Sequence, residues 1–301
     1  MSVAPDLSVC IPSLCREELL GPCLRSVHDQ TTGVTFEVIV VDNSETSRAT
    51  DWLRREFPRV RVISNERNAG FSRSCNQSMR ASLGRFVLLL NDDTLVLDRA
   101  LEKMVQFLAA HPDVGALGPR MYLDESKSAL QFSRGRAFPT PWRIFTSDVV
   151  GYTGIRKLFP RLVRPLLVMD TDLGTSGPAE HLNGACLLIR RETLETVGDL
   201  DEDYSPAFIE ETDWCYRARR SGWKMYYLAE AEIIHFGGGT IPQDDPRRAA
   251  MFEDHLRLFL RKHFGRGVVR RRIFFGHLSA PLRAMHREVQ RLRTSARSAA
   301  T

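Results

Sequence analysis

Short apolar runs rich in β-branched residues recur through the first part of the chain, each followed by a segment of helical length. This alternation constrains the fold more than any other feature. The runs are SVCIPSL (8–14), FEVIVVDN (36–43), VRVISN (60–65) and RFVLLLND (85–92). A strand with one wet face alternates apolar with polar residues, whereas a near-continuous apolar run needs cover on both faces. The intervening segments 17–30, 47–57 and 72–83 have the length and composition to supply that cover as helices. Strand, helix and strand in succession close parallel pairs through right-handed crossovers. The expected architecture is therefore α/β, an open, mainly parallel sheet flanked by helices.

Further along, Leu101, Met104, Val105 and Leu108 make one stripe of a helix over 98–110, which His111-Pro112 ends. VGALGPRMY (114–122) reads as another strand. Residues 123–180 hold five prolines and scattered aromatics without a sustained period, and are expected to form an excursion with short helices that shapes an acceptor pocket. Regular structure resumes with a strand and short helix over 181–198. A helix over 211–222, a strand over 223–229 and a helix over 247–263 follow. No linker composition interrupts this series, so one domain is expected over 1–265, followed by a C-terminal helical basic extension over 266–301.

With 301 residues, 43% hydrophobic and 26% charged, the chain has a globular composition, which excludes disorder, collagen and coiled coil for the whole. The six cysteines form no CxxC pair and no zinc-like spacing, and are expected as buried thiols in a reducing compartment. Without a bilayer-length apolar stretch or a basic, apolar start, a cytoplasmic location is expected. The net charge of +5 is unevenly placed. From Arg261 onward there are eleven basic residues and one acidic residue, a local +10, which leaves −5 on residues 1–260. That balance excludes a nucleic-acid-binding core, whose contact face would itself be basic. In the tail, Leu278, Leu282, Met285, Val289 and Leu292 form an apolar stripe bordered by Arg283, Arg287, Arg291 and Arg293. Two roles are open to it: peripheral contact with an anionic membrane surface, or packing on the domain or on a second subunit in a homodimer.

Ligands of open parallel sheets bind beyond the carboxyl ends of the strands. Asp42 and Asn43, Asn65 and Glu66, and Asn91, Asp92 and Asp93 all fall at such ends. Helix capping accounts for any one of them, but their repetition on one rim points to a ligand. GxGxxG and GxxxxGK are both absent, which removes the main support for NAD-dependent redox chemistry and P-loop hydrolysis. The NDD triplet offers hard oxygen ligands to Mg²⁺ or Mn²⁺ bound partly through ligand phosphates. Glu210, Glu211 and Asp213 stand where a helix starts, either as charges favourable to its dipole or with one acting as a general base. Glu211 and Asp213 point about 200° apart on a helix, so they cannot share one role. His235, beside a glycine run, is open to metal ligation, phosphate contact or a structural role.

Taken together and in order, these segments resemble an inverting family 2 glycosyltransferase with the GT-A fold, of the rhamnosyltransferase-like branch. The matching stretches are SVCIPSLCR, VIVVDNSET, NERNAGFSRSCNQSM, FVLLLNDDT, LNGACLLIRRETLETVGDLDEDY, EETDWCYRARRSGWKMYYLAEAEIIH and KHFG, spanning residues 8–265. The resemblance implies that Pro12 and Asp42 border a nucleotide base with Asn43 and Glu45 close by, and that Asn68, Gly70 and Asn76 line a nucleotide-sugar pocket. It implies that Asp93 holds a divalent cation, Mg²⁺ or Mn²⁺, with His235 near metal and diphosphate and Asp92 beside the sugar or ribose. Glu211 matches the catalytic base, with Asp213 as runner-up. The implied partners are a nucleotide-sugar donor, dTDP-L-rhamnose ahead of a UDP-sugar, and a saccharide or polyprenyl-diphosphate-linked saccharide acceptor. Two departures stand out: Glu210-Glu211 replaces the family's usual Glu-Asp, and Asp92 takes a place usually aliphatic or proline. Another nucleotide-binding α/β enzyme and a catalytically silent nucleotide-sugar-binding module are the competing expectations.

Overall fold

The computed structural model describes residues 4–131, 137–145, 172–237 and 245–272. The four apolar runs become β1 (Leu7–Ser13), β2 (Phe36–Asp42), β3 (Arg61–Ser64) and β4 (Phe86–Leu90). They pair in parallel in the order β3-β2-β1-β4. The crossovers are α1 (Glu17–Gln30), α2 (Ser47–Glu56) and α3 (Phe71–Ala81). In α1, Glu17 and Glu18 face the positive helix end, while Leu20, Cys23, Leu24 and Val27 recur at helical spacing and are buried. Beyond β4 come β5 (Thr94–Val96), α4 (Ala100–Ala110), β6 (Val114–Tyr122), β7 (Leu130–Gln131), α5 (Pro141–Phe145) and β8 (Gly177–Ala179). They are followed by β9 (Cys186–Arg190), α6 (Arg191–Val197), a 3-10 turn (Glu202–Tyr204), α7 (Glu210–Arg220), β10 (Lys224–His235) and α8 (Arg247–Phe264).

The sheet runs β3-β2-β1-β4-β9-β6-β10-β5, with β7 on β6 and β8 on β10. Its first four strands form the expected parallel array, and β10 is parallel to β6. β9 enters antiparallel between β4 and β6, which makes the sheet mixed. β10 is longer than its apolar run suggests. A register shift between Leu228 and Glu232 carries it past its polar Glu230 to His235.

Two compact units divide the chain: residues 1–136 with 171–252, and 137–170 with 253–301. In the first, Leu7, Val9 and Ile11 of β1, Phe86, Leu88 and Leu90 of β4, and Leu101, Met104 and Leu108 of α4 belong to one buried cluster. Each such side chain contributes about 1.5–3 kcal/mol through burial. Arg190 is buried in the same region, donating from Nε to Val114 O (3.0 Å) and from Nη2 to His111 O (2.9 Å) and Leu108 O. Its charge therefore meets the carbonyls at the negative end of α4. In the second unit, Ile144, Leu256 and Leu260 form a small core, and Glu253 pairs with Arg257 and Arg272. The apolar stripe expected over Leu278 to Leu292 lies outside the described residues, as do residues 132–136 and 146–171 of the excursion. Among the described residues, no helix is long and apolar enough to cross a membrane. All six cysteines are free and buried.

Gly84 sits where the chain enters β4 against β1. A Cβ there would stand 2.6 Å from Ser8 N and 2.7 Å from Leu7 C, both backbone atoms. Gly84→Ala should therefore cost about 1–3 kcal/mol in urea unfolding, as overpacking does. An unchanged midpoint would show that β1 and this turn can separate freely.

Candidate functional site

The carboxyl ends of the parallel strands form a polar rim in the first unit. Ser13 at the end of β1 lies opposite Asp42 at the end of β2, and the half-buried Pro12 precedes it. Asp42 is 2% exposed and accepts from Ser44 N (2.8 Å) and Thr50 Oγ1 (2.9 Å), which fixes the turn into α2. Asn43 is also buried. It donates to Ser74 Oγ and accepts from Asn65 Nδ2, both at 2.8 Å, and so ties α3 and the β3 exit to β2. Glu45 is exposed and accepts from Asn68 N (3.0 Å), while Asn68 accepts from Gly70 N (2.9 Å). Gly70 has φ +80°, a conformation that calls for glycine, and a Cβ there would also stand 2.8 Å from Ser205 Oγ. Asn76 is 1% exposed and ties α3 to the loop after α6 through Leu200 N, Leu200 O and Glu202 Oε1, each at 2.9 Å. Asn43 and Asn76 thus use their amides within the protein and shape the rim from beneath.

The end of β4 carries the densest charge. Asp92 accepts from Ser13 Oγ (2.5 Å), and burial raises its carboxyl pKa, with the Asp93 charge adding to the rise. The Arg16 charge opposes that rise. Arg16 Nε and Nη2 are buried with no hydrogen-bond partner among the described residues, so unspent donors stand at the same strand ends. Asp93 meets His235 because β5 and β10 pair antiparallel with Thr94 opposite His235. His235 Nε2 lies 3.2 Å from Asp93 Oδ1 and 3.3 Å from Asn91 Nδ2, while Nδ1 lies 2.7 Å from Gln131 Oε1.

The donor set of Asp93 and His235, a carboxylate oxygen and an imidazole nitrogen, suits a divalent transition ion. Adjacent ligands bonded at about 2.1 Å to an octahedral ion stand about 3 Å apart. The 3.2 Å between Nε2 and Oδ1 fits two such neighbouring positions. Among the described residues, no group of three or more His, Cys, Asp or Glu side chains is placed to hold a metal unaided. A cation here would take its remaining ligands from water or from phosphate oxygens.

The third acidic group enters from α7. Phe208 (φ 82°) and Ile209 (φ 76°) precede it in the left-handed region, a strained arrangement for bulky and β-branched residues. Glu211 is half-buried, and a methyl at Gly184 would come within 3.4 Å of its Cβ and 3.8 Å of Phe71 Cε1. The next residue, Ala185, accepts from Asn91 N (2.9 Å), so Glu211 stands beside the exit of β4. Asp213 points elsewhere. It is 1% exposed, pairs with Arg217 Nε (2.7 Å) and accepts from Tyr204 OH (3.2 Å). Arg217 then donates to Val197 O and Asp199 O, both at 2.8 Å, so Asp213 anchors α7 to the end of α6. Glu210 is buried with Oε2 unpartnered among the described residues, and burial reinforced by the Glu211 charge holds its carboxyl pKa well above the usual range.

The fold thus gathers Asp92, Asp93, His235 and Glu211 around the β4 exit, with Asp42, Asn43, Glu45, Asn68 and Gly70 around the β2 exit. Sequence reasoning missed Ser13, Arg16, Gln131 and Gly184. Ser13 and Arg16 flank the first strand exit and were within reach of the same strand-end rule. Gln131 lies in a two-residue strand within an aperiodic stretch, which left no local signal.

The family model of glycosyl transferase family 2 matches residues 8–161. The chain is 24% identical over 235 residues to an N-acetylglucosaminyl-diphospho-decaprenol L-rhamnosyltransferase of Mycobacterium tuberculosis, an alignment covering 74% of each. It is 25% identical over 260 residues to an uncharacterised protein of Sinorhizobium fredii, covering 84% of this chain but only 27% of that larger protein. Among solved structures, a mannosyltransferase from Pyrobaculum calidifontis in complex with GDP-Man and Mn²⁺ superposes with a TM-score of 0.55 at 16% identity, covering 100% of this chain and 82% of that one. At that identity the likeness bears on the fold.

The raised carboxyl of Glu210 has a consequence for stability. The folded state keeps a proton that the unfolded state releases above its ordinary carboxylate range. Folding stability therefore falls as pH rises from the ordinary range toward the raised value. Glu210→Gln removes that loss, so its melting temperature should exceed that of the unsubstituted protein at pH 8 by more than at pH 5. Parallel melting curves across this range would mean that Glu210 finds a partner and ionises.

Proposed function

The chain belongs to glycosyl transferase family 2, and we propose that it transfers a sugar from a nucleotide donor to an acceptor hydroxyl with inversion at the anomeric carbon. The observation that carries this is the meeting of Asp93 with His235 on the same strand-end rim that Glu211 reaches from α7. In this reading Asp93 and His235 hold Mg²⁺ or Mn²⁺. When bound, the ion supplies Lewis-acid neutralisation of the charge that develops on the leaving diphosphate.

The protein's own groups do the rest. Pro12 and Asp42 border the base at the β1 and β2 exits, and the turn from Glu45 through Asn68 to Gly70 frames the donor. Asp92 stands beside the sugar or ribose, held by Ser13. Glu211 accepts the proton of the attacking hydroxyl as that oxygen bonds to the anomeric carbon and the bond to the diphosphate breaks. One displacement inverts configuration and needs one base but no carboxylate nucleophile. Asp213, the runner-up for base, instead holds α7 through Arg217.

L-rhamnose from dTDP-L-rhamnose is the preferred donor, supported by the name of the mycobacterial relative. The same name supports a polyprenyl-diphosphate-linked saccharide as acceptor, in cell-surface polysaccharide assembly. A UDP-sugar donor is the second choice, and the bound GDP-Man of the Pyrobaculum calidifontis structure brings GDP-mannose into the panel to be tested. Residues 1–265 would form the catalytic domain on the cytoplasmic side, and 266–301 the basic extension that contacts anionic membrane.

Transfer and hydrolysis measured across dTDP-rhamnose, UDP-glucose, UDP-galactose, UDP-GlcNAc and GDP-mannose, with and without EDTA, test the reaction directly. A silent binding module would turn over none of them. Glu211→Gln should lower turnover about 10²–10⁴-fold with little change in donor affinity. Asp93→Ala should keep less than about a tenth of it in saturating Mn²⁺. The same loss in Asp213→Asn, with Glu211→Gln active, would reassign the base. For the tail, the full chain should co-sediment with vesicles rich in anionic lipid at about 0.1 M salt more strongly than a chain ending at Gly267. Equal sedimentation would remove the membrane role, and a change of oligomeric state on truncation would favour a homodimer contact.

A further inference from the structure

The two ring nitrogens of His235 meet different partners. Nδ1 faces Gln131 Oε1 at 2.7 Å, and Nε2 faces Asn91 Nδ2 at 3.3 Å and Asp93 Oδ1 at 3.2 Å. A side-chain carbonyl oxygen only accepts, so the hydrogen in the first contact belongs to Nδ1. An amide NH₂ only donates, so Nε2 accepts in the second. The two amide contacts select the same tautomer, with the hydrogen on Nδ1. Asp93 Oδ1, which only accepts, faces the Nε2 lone pair at 3.2 Å, and a cation between them would turn that repulsion into shared ligation.

Gln131 reaches this position through the sheet. β7 folds back on β6 with Gln131 opposite Met121, and Met121 lies opposite Ile233 of β10. Gln131 therefore lies across β6 from the end of β10, and its reach to the imidazole depends on strand register. It belongs to a two-residue strand and is only half-buried, so the main core does not rest on it.

We propose that Gln131 is a positioning residue whose side-chain carbonyl holds His235 as the Nδ1–H tautomer and aims its Nε2 at the divalent cation shared with Asp93. This rests on the cation reading given above. Ligating histidines characteristically donate their second N–H to such an acceptor, and loss of that acceptor typically weakens metal affinity about 10–100-fold.

The test uses the full chain labelled with ¹⁵N-histidine, and a two-bond ¹H–¹⁵N correlation assigned by the signal lost in His235→Gln. Mn²⁺ alone, and Mn²⁺ with dTDP, are titrated by the electron paramagnetic resonance of the free ion. With saturating Mg²⁺ and dTDP, a diamagnetic state, the unsubstituted protein should show His235 as the Nδ1–H tautomer. Gln131→Leu should lose that preference and bind Mn²⁺ about 10–100-fold more weakly, with the other histidine signals in place. Gln131→Glu, which keeps an acceptor oxygen, should restore both. If Gln131→Leu leaves tautomer and affinity unchanged while Asp93→Ala loses Mn²⁺, the inference is wrong and the cation site stands. If Asp93→Ala binds Mn²⁺ as the unsubstituted protein does, the cation site is wrong and the inference falls with it.

Discussion

The antiparallel pairing of β5 with β10 is the constraint on which the site depends. It sets Thr94 opposite His235 and so brings the carboxylate of Asp93 to an imidazole far along the chain. β10 can do this because it also pairs with β6 through an irregularity that carries its end beyond Glu230. Without that register, the strand ends would still form an acidic rim. Asp93 would then lack a second donor, and Gln131 would have no ring to orient. A slip of one residue would also turn His235 to the opposite face of the sheet.

Burial sorts the carboxylates into two kinds. Asp42, Asp213 and Glu102 are almost fully buried, and each is paid for by hydrogen bonds or an ion pair that stabilise the fold. Their partners are backbone N–H groups, hydroxyls and arginines, which is how a buried charge becomes tolerable. Asp92 and Glu210 are pushed the other way by burial and by a neighbouring carboxylate. Both raised groups adjoin a proposed functional carboxylate, Asp93 or Glu211. Such crowding costs stability, and it concentrates where a cation and a proton transfer are expected to act.

The strand exits were legible in the sequence because position in a parallel sheet follows from local runs of apolar residues. Asp42, Asp92 and Asp93 were placed on the rim by that rule alone. Asn43 and Asn76 were not separable from ligand contacts, because an amide bonded to a hydroxyl or a backbone group looks the same in sequence as a free one. Asp213 and Glu211 were distinguished only in direction. That Asp213 turns toward Arg217 and Tyr204 depends on how α7 packs near α6.

The sequence by itself determined the periodic elements, the parallel half of the sheet, the polar rim and, through ordered motifs, the family. These follow from short-range regularities: side-chain alternation, helical spacing and the residues that end each run. Only the tertiary structure decided that β9 enters antiparallel, that β10 extends to His235, and that Gln131 lies against its ring. Each depends on strand register between distant segments. Register is settled by the summed burial and hydrogen bonding of whole strands, which no local stretch of sequence contains.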